Sequence, residues 1–161
     1  MALGVEPAEP GLMSRNPRSP RRGIITMTSF GVIMYQSLIM TLLTFGVYMM
    51  HDRSDPEKES YAQSESFTVL TTLQLLQGFL SRTMRTSVFK VSFMSNRWMI
   101  VGVLVSFVLM IIGLYVPGFN HVLELQPIDG LSWARVVICC VILVVLSELE
   151  KLLLRVTGWT V

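Results

Sequence analysis

Long uncharged runs alternate with short charged connections along this chain. Residues 23–50, 66–81, 98–116 and 136–147 contain no Asp, Glu, Lys or Arg. Crossing the hydrocarbon core of a bilayer takes about 20 helical residues. The first and third runs meet that length, and the other two reach it when flanking residues extend them. Lone apolar runs must satisfy their backbone groups internally, which in lipid means helices rather than open strands. The pattern therefore predicts an all-α membrane protein, a four-helix transmembrane bundle with spans at about 24–50, 65–82, 98–116 and 133–153.

The charges between the runs orient it. Arg15, Arg18, Arg21 and Arg22 precede the first span, and Arg82, Arg85, Lys90 and Arg97 follow the second with no acid among them. The connection after the first span holds Asp52, Asp55, Glu57, Glu59 and Glu65 against Arg53 and Lys58, and the one after the third holds Glu124 and Asp129. Short loops rich in Lys and Arg stay in the cytoplasm. Both termini are thus expected to be cytoplasmic, with the two acidic connections on the far side. Arg135 dissents, and snorkelling of its long side chain from the start of the last span is the expected explanation.

Composition excludes several classes. With 161 residues, 52% of them hydrophobic, the chain has room for one small membrane domain, residues 23–157, after a Pro/Arg-rich cytoplasmic segment, 1–22. Pro7, Pro10, Pro17 and Pro20 with Glu6 and Glu9 occupy the place of a signal peptide's apolar region, so that segment is not one. The arginines adjoin spans rather than forming a basic face, which argues against nucleic acid as a partner. Cys139 and Cys140 are neighbours on a helix, diverge by about 100°, and read as small packing residues rather than a disulfide or metal site. No phosphate cradle, nucleophile elbow or His/Cys metal cluster appears, so no catalytic residue and no certain metal ligand is assigned.

Polar positions within the spans narrow the candidates. Thr71, Gln74, Gln77, Gly78 and Ser81 lie within about 120° of one another on a helix, a stripe expected to face the bundle interior. Interhelical hydrogen bonding is the simpler role for its amides. The alternative places the carbonyl oxygens of Gln74 and Gln77 beside a cation path, although two amides alone cannot complete a calcium shell. Gly102, Ser106 and Gly113 align within about 40°, a small-residue stripe for close helix packing. Glu148 and Lys151 form an i, i+3 pair expected at the cytoplasmic interface. His51 and His121 are read as interface residues at the far edge.

The order of short motifs then carries a resemblance. Ala2-Leu3-Gly4 and Leu12-Met13-Ser14-Arg15-Asn16-Pro17-Arg18-Ser19-Pro20 resemble the segment that follows the sixth transmembrane helix of P-type calcium-transporting ATPases. Residues 67–79 resemble the eighth helix of that family and Arg85-Thr86-Ser87-Val88-Phe89 the loop after it. Ser95-Asn96-Arg97-Trp98 and Leu114-Tyr115-Val116-Pro117 bracket a ninth helix, and Trp133 with Leu146-Ser147-Glu148-Leu149-Glu150-Lys151 resembles the tenth. The family's topology agrees with the charge pattern. The resemblance implies that Gln74 stands where the sarco/endoplasmic-reticulum pumps place a glutamate ligand, which favours a single calcium site as in Golgi-type pumps. It also implies contact of residues 12–22 with a phosphorylation domain, making Arg15, Pro17 and Arg18 the coupling candidates.

No phosphorylation, nucleotide or actuator domain and none of the first six helices occurs in these residues. The expectation is the C-terminal membrane region of a P-type, calcium-type ATPase that scaffolds transport helices and is inactive alone. ATP and Mg²⁺ would be bound by the absent domains, Ca²⁺ would be the transported ion, and the lipid bilayer and the remaining helices and head, in cis or in trans, would be the partners. A stand-alone four-span protein that regulates other pumps is the alternative, in an endomembrane or the plasma membrane.

Overall fold

The computed structural model describes residues 27–52, 54–81 and 97–156. Four long helices and one short turn of helix make up the described chain: α1 (Met27–Met49), α2 (Pro56–Ser81), α3 (Arg97–Tyr115), α4 (Phe119–Val122) and α5 (Gly130–Val156). No strand occurs among the described residues. At 1.5 Å per residue the long helices measure roughly 28–40 Å, comparable with the thickness of a hydrocarbon core. Two of them, over Ser29–Met49 and Arg97–Tyr115, are long and apolar enough to cross a membrane.

The second helix begins earlier than the hydropathy pattern predicts. Residues 56–65, read from sequence as part of an acidic loop, are the first turns of α2. The physical reason is a strong helix start. Pro56 occupies the first position, where its missing N–H costs nothing, and Glu57 and Glu59 complement the positive end of the dipole. Lys58 bridges Asp52 at 3.1 Å and Asp55 at 3.4 Å, tightening the connection from α1. Lys58 and Ser54 hold the Asp52 carboxyl below its usual range, and Asp52 and Asp55 raise the Lys58 ammonium.

The connection from α3 to α5 is also built rather than loose. Pro117 follows the end of α3, Gly118 takes a positive φ of 102°, and the chain turns through α4 before Glu124, at φ 54°, redirects it. Ile128 is buried beneath this crossing with Met110 and Leu114 of α3. The main core lies where α1, α2 and α5 meet. Ile39, Met40 and Val47 pack there against Val69, Leu73 and Leu80 and against Val136, Cys139 and Leu143. Cys139 and Cys140 are both free thiols, the first buried in that core.

The outward faces are apolar. Phe30, Leu38, Leu42 and Phe45 of α1, Leu104 and Leu109 of α3, and Ile138 and Val141 of α5 are each more than half exposed. Contiguous apolar surface of this extent marks contact with lipid or with further protein. An apolar groove of about 600 Å³, lined by Thr72 and Leu76 of α2, Phe107 of α3, and Trp133, Cys140 and Val144 of α5, opens between these helices.

Candidate functional site

Two polar clusters sit at opposite ends of the α1–α2–α5 junction. The first is centred on Glu65, which has no exposed surface. Its early-starting helix carries it against α5, where Arg135 Nη1 donates to both carboxylate oxygens at 3.1 and 3.0 Å. The Ser132 hydroxyl donates to Oε2 at 2.7 Å, and His51 Nε2 lies 2.7 Å from the same oxygen. Tyr61, one turn before Glu65, stacks edge-on with His51 at 5.6 Å and shares a 2.9 Å hydrogen bond with Ser132. A buried carboxylate is tolerated only when paired and hydrogen-bonded, and Glu65 is both.

This arrangement corrects one expectation. Arg135 does not snorkel: it is the counter-ion of a buried acid supplied by a different helix. His51, at the edge of the first span, belongs to the same cluster. The acid partner was hidden because Glu65 read as the last residue of a loop, whereas the helix start at Pro56 turns it inward.

The α3–α5 connection is fastened to the same end. Ser64 Oγ accepts from the Gln126 N–H at 2.8 Å, Ser60 Oγ donates to the Glu124 carbonyl at 3.3 Å, and the Asp129 N–H donates to Tyr61 Oη at 3.0 Å. Tyr115 and Trp133 complete the tie, the indole donating to the phenol at 2.9 Å and the phenol to the Ile128 carbonyl at 2.8 Å. Asp129 caps α5 by accepting from the Ser132 N–H at 2.9 Å. That backbone bond first, then the Ser132 and Tyr61 hydroxyls, hold its carboxyl below the usual range.

A carboxyl depressed in the folded state contributes stability above its unfolded value and loses it as pH falls through the folded one. Asp129→Ala is therefore expected to speed amide hydrogen exchange at Ser132 at neutral pH. Asp129→Asn, which still caps, should keep the protection but lose its acid dependence below about pH 4. Equal exchange in all three proteins would show that the cap contributes nothing.

The second cluster joins the three helices near their other ends. Gln77 Nε2 of α2 donates to Gln36 Oε1 of α1, and Gln36 Nε2 donates to Glu150 Oε2 of α5 at 2.9 Å. Gln36 and Glu150 are buried, and Gln77 is half-buried. Beside them Lys151 Nζ meets Glu148 Oε1 at 3.0 Å, with Lys151 itself buried. Sequence reasoning placed Gln77 among the candidates but gave Gln36 and Glu150 no partner. A Gln mid-span on α1 and an acid inside the last span were the signals available.

The other sequence candidates fall as follows. Gln74, Gly78 and Ser81 are exposed on the described helices, whereas Thr71 and Gln77 are half-buried, so only one edge of the polar stripe of α2 faces their interior. The buried face of α2 runs instead through Ala62, Glu65, Val69, Leu73 and Leu80. Gly102 and Ser106 are likewise exposed, and a Cβ on Gly102 would meet nothing, whereas one on Gly113 would lie 3.2 Å from Leu123. Only Gly113 of that stripe packs closely within the described chain. Arg15, Pro17 and Arg18 lie outside the described residues. Among the described residues no group of three His, Cys, Asp or Glu could hold a metal ion.

An all-helical bundle with wide apolar outer faces and buried polar ties suits a domain of an integral-membrane protein. Residues 1–153 match the family described as "Cation transporting ATPase, C-terminus", and the chain belongs to that family. It is 28% identical over 137 residues to a "Calcium-transporting ATPase" of Bacillus subtilis, covering 85% of this chain and 15% of the relative. Similarity to "Calcium-transporting ATPase lmo0841" of Listeria monocytogenes is 28% over 152 residues, 94% of this chain and 17% of the relative. A "Probable cation-transporting ATPase F" of Mycobacterium tuberculosis is 24% identical over 159 residues, 97% of this chain and 17% of the relative. The chain thus spans under a fifth of the length of these proteins.

Proposed function

We propose that these residues form the C-terminal, four-span membrane region of a P-type cation pump, with calcium as the transported ion. The observation that carries this reading is the family match over nearly the whole chain, together with relatives whose names specify calcium transport. The four long helices, each of bilayer length, support four spans with both ends on the cytoplasmic side. The region scaffolds transport helices rather than performing chemistry. ATP and Mg²⁺ are held by cytoplasmic domains elsewhere in the pump, joined in cis or supplied in trans.

The outward polar face of α2 fits that role. Exposed amide and hydroxyl groups at Gln74 and Ser81 are unfavourable against lipid but suit contact with the remaining pump helices, as do Gly102 and Ser106 on α3. Gln74 is there a neighbour of the cation path, and an amide adds no charge to a calcium shell. Arg15, Pro17 and Arg18 take the coupling role toward the phosphorylation domain.

Topology is tested by cysteine labelling on a Cys139→Ala, Cys140→Ala background in sealed vesicles. A cysteine at Ser54, in the α1–α2 connection, should react only from the non-cytoplasmic side, and one at Ser92, between α2 and α3, only from the cytoplasmic side. Labelling of both from one side would overturn the four-span reading.

A further inference from the structure

The groove between α2, α3 and α5 has apolar walls along its length. Thr72 and Trp133, which line it, turn their polar atoms aside: the Thr72 hydroxyl donates to the Thr68 carbonyl at 2.8 Å, and the Trp133 indole donates to Tyr115 Oη at 2.9 Å. On α5 the lining runs from Trp133 to Val145. At 1.5 Å per residue that is about 18 Å, close to the depth of one leaflet, half of a roughly 30 Å hydrocarbon core. Val137, Val141 and Val145 line it and are each more than half exposed, so the groove opens sideways to whatever surrounds the bundle. A helix of that length, about 10 Å across, fills roughly 1,400 Å³, more than twice the groove's volume of about 600 Å³. A single alkyl chain is slim enough to enter, and a further helix is not.

The end of the groove nearest the α3–α5 connection carries charge. Asp129 stands one helical turn before Trp133, its carbonyl accepting from the Trp133 N–H at 3.2 Å. Its Oδ1 caps α5, and the residue stays exposed, as does Glu124 in the same connection. Arg135, the cation on the first turns of α5, is engaged by Glu65. We propose that this groove binds one acyl chain of an aminophospholipid from the non-cytoplasmic leaflet, with the primary ammonium of the lipid headgroup on Asp129. An ammonium complements the acids at the mouth and brings three N–H donors. An anionic headgroup would meet only acids there, and a choline headgroup has no N–H to donate. Tyr115 and Trp133 then lie at the level where amphipathic rings meet lipid headgroups. The proposal rests on the four-span membrane reading, and needs neither calcium nor the rest of a pump.

The test is Trp133 fluorescence in the full 161-residue chain carrying Trp98→Phe and Trp159→Phe. The chain is placed in phosphatidylcholine vesicles doped with a lipid brominated on one acyl chain, because bromine quenches an indole that it touches. Brominated phosphatidylethanolamine, phosphatidylcholine and phosphatidylglycerol are compared at equal mole fraction. The expected result is half-maximal quenching by the ethanolamine lipid at about one-third of the mole fraction that the other two need, the preference that one exposed ion pair supplies. Asp129→Asn, which still caps α5, should bring the three lipids level. Cys140→Phe, which fills the groove, should weaken quenching by all three, and should it fail to fold, Asp129→Asn decides alone. A second chain with Trp133→Phe and Trp159→Phe keeps Trp98, which is 65% exposed on α3 and should be quenched equally by every lipid. With Trp98 quenched, equal quenching of Trp133 by the three lipids, or an ethanolamine preference that survives Asp129→Asn, would overturn the proposal alone. No quenching of either tryptophan by any lipid would overturn the membrane reading along with it.

Discussion

Glu65→Ala should destabilise the bundle by about 3 kcal/mol, because it strands Arg135 beside a cavity that water does not fill freely. The carboxylate is wholly buried and accepts from Arg135 and Ser132 and contacts His51, so one truncation breaks ties to both α5 and the α1–α2 connection. Arg135 keeps 30% side-chain exposure, which places the loss at the lower end of the range for buried pairs. Glu65→Gln should cost less, since it retains hydrogen-bonding atoms. The informative variant is the double change Glu65→Leu, Arg135→Leu. A well-packed apolar pair commonly equals or exceeds a buried ion pair, so most of the stability should return. Unfolding of the four proteins in the same detergent measures this. A double variant no more stable than Glu65→Ala would mean that the pair's contribution lies in its hydrogen-bond network rather than its charges.

That pair shows where sequence reading stops. The long runs at 23–50 and 98–116 were legible as helices, and α1 and α3 fall almost where the uncharged stretches place them. The start of α2 is legible in principle: Asp55-Pro56-Glu57 has the form of a helix opening, but the hydropathy boundary falls at the last charge instead. Once Glu65 is assigned to a loop, Arg135 has no partner and snorkelling becomes its default. Helical periodicity groups Gln74 with Gln77, Gly78 and Ser81, yet it cannot say which face of a helix meets which neighbour. The angular spread of that stripe is wide enough for Gln77 to reach Gln36 while Gln74 points outward. The link from Gln36 to Glu150 spans 114 positions and leaves no trace in local spacing.

The second large effect concerns activity. The 161-residue chain by itself is expected to form no phosphoenzyme and to hydrolyse no ATP. Phosphoryl transfer needs a phosphate cradle, a metal-binding carboxylate and a positioned acceptor, and its sequence contains no such motif. On the proposed reading, its contribution to a pump lies in packing. The Glu65–Arg135 tie and the Gln77–Gln36–Glu150 relay hold α1, α2 and α5 as one unit. Gln74 of α2 and Gly102 and Ser106 of α3 stay exposed on the described helices.

The direct measurement is a chimera. In the calcium-transporting ATPase of Bacillus subtilis, the C-terminal part matched by this chain is replaced with residues 1–161, and calcium-dependent phosphoenzyme is measured in membranes. Phosphoenzyme formation well above that of the same pump lacking its C-terminal part is the predicted result, together with its loss in a Glu65→Ala chimera. A chimera that inserts and accumulates like the parent pump yet forms no calcium-dependent phosphoenzyme would contradict the assignment of this chain to a calcium pump.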